Sequence, residues 1–196
     1  MKKNTVSIAI IIGIIIIIGI WIGLSYNNLV KSDEACLKQW SNVETQYQRR
    51  LDLIPNLVNT VKGYASHEKE TLTEVTQARN LASNAKVDPN NITQESLDNY
   101  QASQTQLKSS LDRLMVVVER YPDLKANENF LELQSQLEGT ENRIATQRHS
   151  FANIVNKYNS MIRRFPTNII ADMFSFERRA YFEAEQGAET SPKVEF

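Results

Sequence analysis

The stretch NENFLELQSQLEGTENRIATQRHSFANIVNKYNSMIRRFP, residues 127–166, carries an apolar or aromatic residue at every seventh position. These positions are Phe130, Leu137, Ile144, Phe151, Tyr158 and Phe165. Sustained over five heptad steps, the spacing predicts one long helix with coiled-coil-like packing. We expect this helix to begin near Asn127 and to end at Pro166, and no strand pattern competes with it.

Three further helices are indicated upstream by apolar residues that recur every three or four positions. The first stripe consists of Cys36, Trp40, Val43, Tyr47, Leu51 and Ile54. Pro55 can begin a second helix with Asp52 as its N-cap, or it can kink one continuous helix; we expect a new helix, which runs to Ala82. Thr93 is a suitable cap for a third helix, which Pro122 ends.

An uncharged apolar run, VSIAIIIGIIIIIGIWIGL, occupies Val6 to Leu24 behind a short flank of residues 1–5. As a helix these residues reach about 28 Å, close to the hydrocarbon thickness of about 30 Å. A cleaved signal peptide is the alternative, but the run is long for one and no small-x-small cleavage site follows it. The sequence therefore predicts a retained transmembrane anchor over residues 6–25.

The orientation of this anchor is suggested by the lysines on its two sides. Lys2 and Lys3 precede it with the terminal amine, whereas Lys31 and Lys38 follow it. This small bias favours an N-terminus in the cytoplasm and a body outside the cytoplasm, on a bacterial cytoplasmic membrane. Within the anchor, a G-x-x-x-G pair at residues 19 and 23 would let two such helices pack closely as a homo-oligomer, but the same spacing is common in anchors that never dimerise, so both alternatives stay open. The two residues are Gly19 and Gly23.

Four helices with short connections predict an all-α body, an antiparallel up-down four-helix bundle over residues 26–166. If the helices alternate in direction, the segment after Pro166 returns to the membrane. This segment, residues 167–183, contains the apolar residues Ile169, Ile170, Met173, Phe174, Phe176 and Phe182. It could pack on the bundle, lie in the lipid interface or hold a protein partner. The polar residues 184–196 predict a disordered tail.

The composition of the chain argues against metal sites, cofactor sites, nucleic-acid binding and catalysis. The chain has one Cys, two His and a net charge of -1, so we expect no metal site, no cofactor and no nucleic-acid partner. His67 and Glu68 begin an H-E-x-x-H motif, but its last position is Thr71. No G-x-S-x-G turn or phosphate-binding loop occurs, so we expect no catalytic residues and a protein that is not an enzyme.

Several charged residues fall at or near positions that should face the core. They are Arg49, Arg50, Asp52, Glu68, Glu141, Arg143 and Arg148. Because unpaired burial of such charges costs several kcal/mol, they must pair across helices or line a wet groove. We expect Arg49 or Arg50 to pair with Glu141, either as a buried network that holds the helices in register or as a groove for an anionic ligand. Cys36 is expected to be buried.

Three long stretches carry a resemblance to a known family. They are WSNVETQYQRRLDLIPNLVNTVKGYASHE from Trp40, VVVERYPDLKANENFLELQSQLEGTENRIATQRHSFANIVNKYN from Val116 and RRFPTNIIADMFSFERRAYFEAE from Arg163. The chain resembles the LemA family of bacterial membrane proteins. The resemblance implies an N-terminal anchor and an up-down four-helix bundle, with no agreed catalytic residues. Some genes of the family adjoin genes for membrane proteases, which implies a role in maintaining the envelope.

Two functions are compatible with these features. The first is a non-enzymatic, single-pass scaffold or adaptor that contacts the lipid bilayer through one helix. Its partners would be other membrane proteins, with membrane proteases among the candidates, and further copies of the chain. The alternative is a ligand or signal-sensing module in which the polar seam forms an anion-binding groove.

Overall fold

The computed structural model describes residues 2–182, and the regular structure in this part of the chain is all helical, with no strand. The helices are α1 (Lys2–Tyr64), α2 (Lys69–Asn84), α3 (Gln94–Val118), α4 (Pro122–Lys125), α5 (Glu128–Arg163) and α6 (Thr167–Met173). Residues 174–182 follow α6 without regular structure. The predicted tail, residues 184–196, lies outside the described residues.

Helix α1 combines two environments in one continuous element of 63 residues. Its N-terminal part contains the apolar run, whose isoleucines are exposed, and it is long and apolar enough to span a membrane. From Leu29 onward one face is buried at the helical spacing. The buried positions are Leu29, Cys36, Trp40, Val43, Tyr47, Leu51, Ile54, Leu57 and Val61. The candidate span and the packed part are therefore a single helix.

Pro55 does not begin a new helix, so our prediction of a helix boundary with Asp52 as N-cap is wrong. Proline lacks an N–H, and the carbonyl of Leu51 therefore loses its donor within the helix. The guanidinium Nε of Arg79, on α2, donates to that carbonyl at 3.0 Å. Asp52 instead accepts a hydrogen bond from Gln48, one turn earlier. A neighbouring helix thus satisfies the backbone group that the proline leaves unpaired.

Two other helix starts are confirmed. The hydroxyl of Thr93 accepts from the N–H of Ser96 at 3.1 Å, and the Ser96 hydroxyl accepts from the N–H of Thr93 at 3.2 Å. These two bonds form a reciprocal cap at the start of α3. The side chain of Asn127 caps α5 with a single bond, accepting from the N–H of Phe130 at 3.0 Å. Pro122 follows the end of α3 and occupies the first turn of α4, where its missing donor costs nothing.

The core consists of two clusters arranged along α1. The cluster nearer the apolar run combines residues 29–47 of α1 with residues 144–162 of α5, the α2–α3 connection and α6. The distal cluster combines residues 51–61 of α1 with α2, the second half of α3 and the start of α5. Since the early part of α1 meets the late part of α5, these two helices run antiparallel. The predicted heptad residues of α5 are buried except Phe165, which follows the end of the helix at Arg163.

The chain after α5 folds back against the first turns of α1 beyond the apolar run. Ile170 and Ala171 of α6 belong to the core cluster. The ring of Tyr26 lies 4.7 Å from that of Phe174 and 5.9 Å from that of Phe176, measured between centroids. The segment after Pro166 is therefore next to the end of the candidate span.

Candidate functional site

A polar seam crosses the middle of the body, centred on Arg50. This arginine is 2% exposed and lies on the buried face of α1. Its Nη1 donates to Oε1 of Glu141 on α5 at 2.6 Å, and its Nη2 donates to Oε1 of Gln104 on α3 at 2.5 Å. Arg50 also reaches the main-chain carbonyl of Gln104 at 3.3 Å. The expected pairing with Glu141 is confirmed. Together, the bonds of Arg50 connect α1 with α3 and α5.

The surroundings of Arg50 are aromatic on one side and open on the other. Its guanidinium lies 5.2 Å from the centroid of the Tyr47 ring, and its Nε has no hydrogen-bond partner. Burial raises the pKa of Tyr47, while Arg148 and Arg50 lower it by a smaller amount. Next to this group is a cleft of about 130 Å³ between α3 and α5, which Lys108 and Arg148 also line.

The charges of this cleft are already engaged within the fold. Arg50 is neutralised by Glu141, and Lys108 donates to Asp112 at 2.8 Å. Arg148 lies over the ring of Phe182, 4.5 Å from its centroid. An anionic ligand would have to displace these contacts. The arrangement therefore favours a network that holds the helices in register over a groove prepared for an anion.

The other charged residues predicted for the seam do not converge on Arg50. Arg49 and Asp52 are exposed on the far side of α1. Arg143 is exposed on α5, and its Nε donates to the carbonyl of the residue one turn earlier, at 3.1 Å. Glu68 lies at the distal end of the body, where it accepts hydrogen bonds from Arg120 at 3.0 Å and from Tyr121 at 2.9 Å. Of the residues predicted for the seam, those that come together around the cleft are therefore Arg50, Glu141 and Arg148.

A second paired arginine, Arg179, is partly buried, and the sequence analysis missed it. It fastens residues 174–182, a segment that we call the C-terminal clasp. Arg179 binds Asp33 of α1 through two bonds, Nε to Oδ1 at 2.5 Å and Nη2 to Oδ2 at 3.0 Å. Its Nη1 donates to the carbonyl of Pro89 in the α2–α3 connection at 3.0 Å. The backbone of Arg179 is held as well, because its N–H donates to Asn159 at 3.0 Å and its carbonyl accepts from Asn159 at 2.9 Å.

The clasp ends in an aromatic cluster. The Phe182 ring lies 6.0 Å from Trp40 and 5.9 Å from Phe151. Because Arg148 also lies over Phe182, the clasp touches the edge of the polar seam. One sequence signal could have revealed the partner of Arg179. Asp33 is four residues after Leu29 and three residues before a buried cysteine, so it lies on the apolar face of α1. A carboxylate there requires a cationic partner.

The thiol of Cys36 is buried, as expected. Burial raises its pKa to about 11; Arg179 acts in the opposite direction and Asp33 in the same direction. Among residues 2–182 no three His, Cys, Asp or Glu side chains come together as metal ligands. The thiol is therefore protonated and shielded at neutral pH.

The remaining predicted residues lie at the span and the C-terminal segment. Ile170 and Phe182 are buried and Phe176 is half-buried, whereas Ile169, Met173 and Phe174 are exposed. Gly19 and Gly23 are exposed on the apolar part of α1, with open space where a Cβ would project.

A family model described as the LemA family matches residues 39–196, which include Arg50 and Arg179. The chain belongs to the LemA family. Among curated LemA relatives, the Protein LemA of Metamycoplasma hominis is 27% identical over 164 residues, covering 82% of this chain and 69% of the relative. The magnetosome protein MamQ 2 of Paramagnetospirillum magneticum is 27% identical over 184 residues, covering 85% and 68%. MamQ of Magnetospirillum gryphiswaldense matches over the same lengths at the same identity.

Proposed function

We propose that this LemA-family chain is a non-enzymatic, single-pass protein of the bacterial cytoplasmic membrane. Its helical body serves as a scaffold or adaptor for other membrane proteins, with membrane proteases among the candidates, and it associates with further copies of itself. The observation that carries the proposal is the continuity of α1, which joins an apolar span to the packed body without a flexible linker. A body held in this way presents its surfaces at a defined place beside the bilayer.

The proposed body is an antiparallel up-down four-helix bundle, formed by the part of α1 after residue 26 with α2, α3 and α5. The two core clusters support this arrangement, because each combines side chains from α1, α3 and α5. The Arg50 network supports it as well, since it connects the same three helices through side chains.

A groove between α3 and α5 is the surface that we propose for a partner. It has a volume of about 410 Å³ and adjoins the cleft beside Arg50. Leu111, Met115 and Leu137 form its apolar floor, and charged residues such as Asp112 and Glu138 form its rim. An apolar floor with a polar rim suits an amphipathic helix of another protein.

Photo-crosslinking in cells tests this proposal with the full-length chain. A photoreactive residue at Met115 should form a discrete adduct with another integral membrane protein, because Met115 lines the groove. The same residue at Thr45, exposed on α1, is the matched control and should form no such adduct. Absence of adducts at Met115, or equal adducts at both positions, would contradict an adaptor role of this groove.

The orientation is tested by thiol labelling. We propose that the body lies outside the cytoplasm, on the weak lysine bias around the span. In a Cys36→Ala chain, Val116→Cys places a thiol at a position that is 72% exposed. A membrane-impermeant maleimide should label it on intact cells; labelling only after permeabilisation would place the body in the cytoplasm.

A further inference from the structure

Several apolar side chains are exposed in α6 and directly beside it, and two of them, Ile169 and Met173, lie one helical turn apart on the same side of α6. Phe165, Ile169 and Met173 are 77%, 49% and 61% exposed, and Phe174 adjoins them at 46%. On the opposite side of α6, Ile170 and Ala171 are 1% exposed and belong to the core. Helix α6 therefore carries apolar side chains on two sides. One side packs on the core, and the other is left largely uncovered by the residues that the structure describes.

The position of α6 along α1 identifies what covers this face. Tyr26, whose ring contacts Phe174, is two residues after the end of the apolar run, a rise of about 3 Å along the helix. Trp21 and Ile22 lie inside the apolar run, and they pack against the same core cluster as Ile170. The base of the body thus begins at the last turn of the candidate span, and α6 lies at that level.

We propose that the face formed by Phe165, Ile169, Met173 and Phe174 lies in the bilayer interface and is a second membrane contact of the chain. The inference rests on the proposed membrane insertion of α1. A span of about 28 Å fills a hydrocarbon layer of about 30 Å, so lipid must reach the height of its last turn. Exposed apolar side chains at that height contact the boundary between headgroups and acyl chains. Lipid therefore covers this face without any partner having to approach.

Charge plays a secondary part in this contact. Arg163 and Arg164 are exposed at the end of α5 and suit lipid phosphates. Asp172 and Glu177 are exposed in the same segment and reduce its net charge. The apolar face, and not a basic patch, is thus the principal contact.

Depth-dependent fluorescence quenching tests the proposal on the full-length chain in phosphatidylcholine vesicles with brominated acyl chains. An environment-sensitive fluorophore is attached at Met173→Cys in a Cys36→Ala background. Ile15→Cys, inside the apolar run, is the control for insertion, and Val116→Cys, far along α3, is the control for water exposure. Ile169→Cys is a second reporter on the same face of α6. Circular dichroism verifies that each labelled chain keeps its helix content.

We expect bromines near the headgroup end of the acyl chains to quench the fluorophore at both α6 positions, and bromines near the methyl end to quench it at Ile15. Neither should quench the Val116 label. Quenching at Ile15 without quenching at either α6 position would overturn the lipid contact while leaving the membrane anchor in place. No quenching at Ile15 would instead contradict the proposed membrane insertion itself. If the α6 labels become shielded from aqueous iodide only at high protein density, a second copy of the chain covers the face, and the proposal fails.

Discussion

Arg50, which is buried, and Arg179, which is partly buried, are each paired with a carboxylate on another part of the fold, but they stabilise different kinds of structure. Arg50 connects three long helices that are packed along their length. Arg179 connects α1 and the α2–α3 connection to a segment that has no helix of its own. The first pair fixes how regular elements lie against each other, whereas the second determines whether an irregular segment stays attached.

This difference predicts different failures. Removing a partner of Arg50 leaves a charge inside packed helices, and the fold can relieve it only by opening the core. Removing Arg179 leaves Asp33, whose side chain is 25% exposed, and water can reach it once the clasp moves. We therefore expect global destabilisation at the seam and local opening at the clasp.

The largest effect is expected for Glu141→Ala. Arg50 would remain buried with only Gln104 as a partner, which should lower the free energy of unfolding by about 2 to 5 kcal/mol. Chemical denaturation of the full-length chain in detergent measures this change. Glu138→Ala, an exposed acid three residues earlier on α5, is the control and should change stability by less than about 0.5 kcal/mol. Equal losses for the two variants would show that the seam does not carry stability.

An intermediate effect is expected for Arg179→Ala. The change removes the charge-assisted hydrogen bonds of the clasp, and we expect the free energy of opening this segment to fall by about 1.5 to 3 kcal/mol in total. Because the clasp can detach by itself, we expect the amide protons of residues 174–182 to exchange faster than in the unchanged chain. The exchange rates of the amide protons of α5 should stay the same. Hydrogen exchange with mass spectrometry measures this difference. Arg178→Ala changes the adjacent, exposed arginine and should leave exchange unaltered; faster exchange throughout α5 would remove the distinction between the two regions.

A smaller effect is expected at Arg79, which binds a carbonyl and no carboxylate. Arg79→Met leaves the Leu51 carbonyl without a donor and should cost about 1 kcal/mol. In a Pro55→Ala chain the helix supplies its own N–H to that carbonyl, so the same change should cost less. A double-mutant cycle on thermal unfolding measures this coupling. Additive costs would mean that Arg79 does not compensate for the proline.

The smallest effect at neutral pH comes from the Cys36 thiol, because its contribution to stability changes only in alkaline solution. Burial raises the pKa of the Cys36 thiol to about 11, while an unfolded thiol titrates near about pH 8.5. Between these values the folded chain retains a proton that the unfolded chain releases, so stability decreases as pH rises from about 9 toward 11. Cys36→Ala should flatten this decrease, as measured by denaturation at several pH values. Tyr158, whose burial raises its pKa to about 12, adds to the decrease only above about pH 10, where an unfolded tyrosine titrates. An unchanged slope between about pH 9 and 10 would therefore assign the effect to another group.

The sequence predicted most of what regular periodicity controls. Heptad spacing located α5 and its buried face, and side-chain chemistry located the caps at Thr93 and Asn127. The pairing of Arg50 with Glu141 was predictable because both charges interrupt apolar faces. Arg49 was not distinguishable from Arg50 by composition alone, but a single residue rotates the side chain by about 100° around the helix and moves it to solvent.

Interactions between distant parts of the chain were not predictable in the same way. Pro55 looked like a helix boundary because the donor that rescues Leu51 comes from Arg79, on another helix. The sequence of the clasp has no repeating apolar spacing from which its position could be predicted. Its attachment depends on Asp33 and Arg179, which are 146 residues apart. Phe165 continued the heptad in sequence, yet α5 ends two residues before it.

The uninterrupted course of α1 through Pro55 gives the molecule a fixed height. From Leu24 at the end of the apolar run to Tyr64 at the end of the helix, 40 residues rise about 60 Å. If α1 stands along the membrane normal, a neighbouring protein whose domain rises only a short way above the lipid meets the clasp and never the distal cluster. A neighbouring protein whose domain extends about 60 Å above the lipid could contact the body along its whole length. The length of α1 therefore determines which neighbouring membrane proteins can contact which part of the body, according to how far each extends above the lipid.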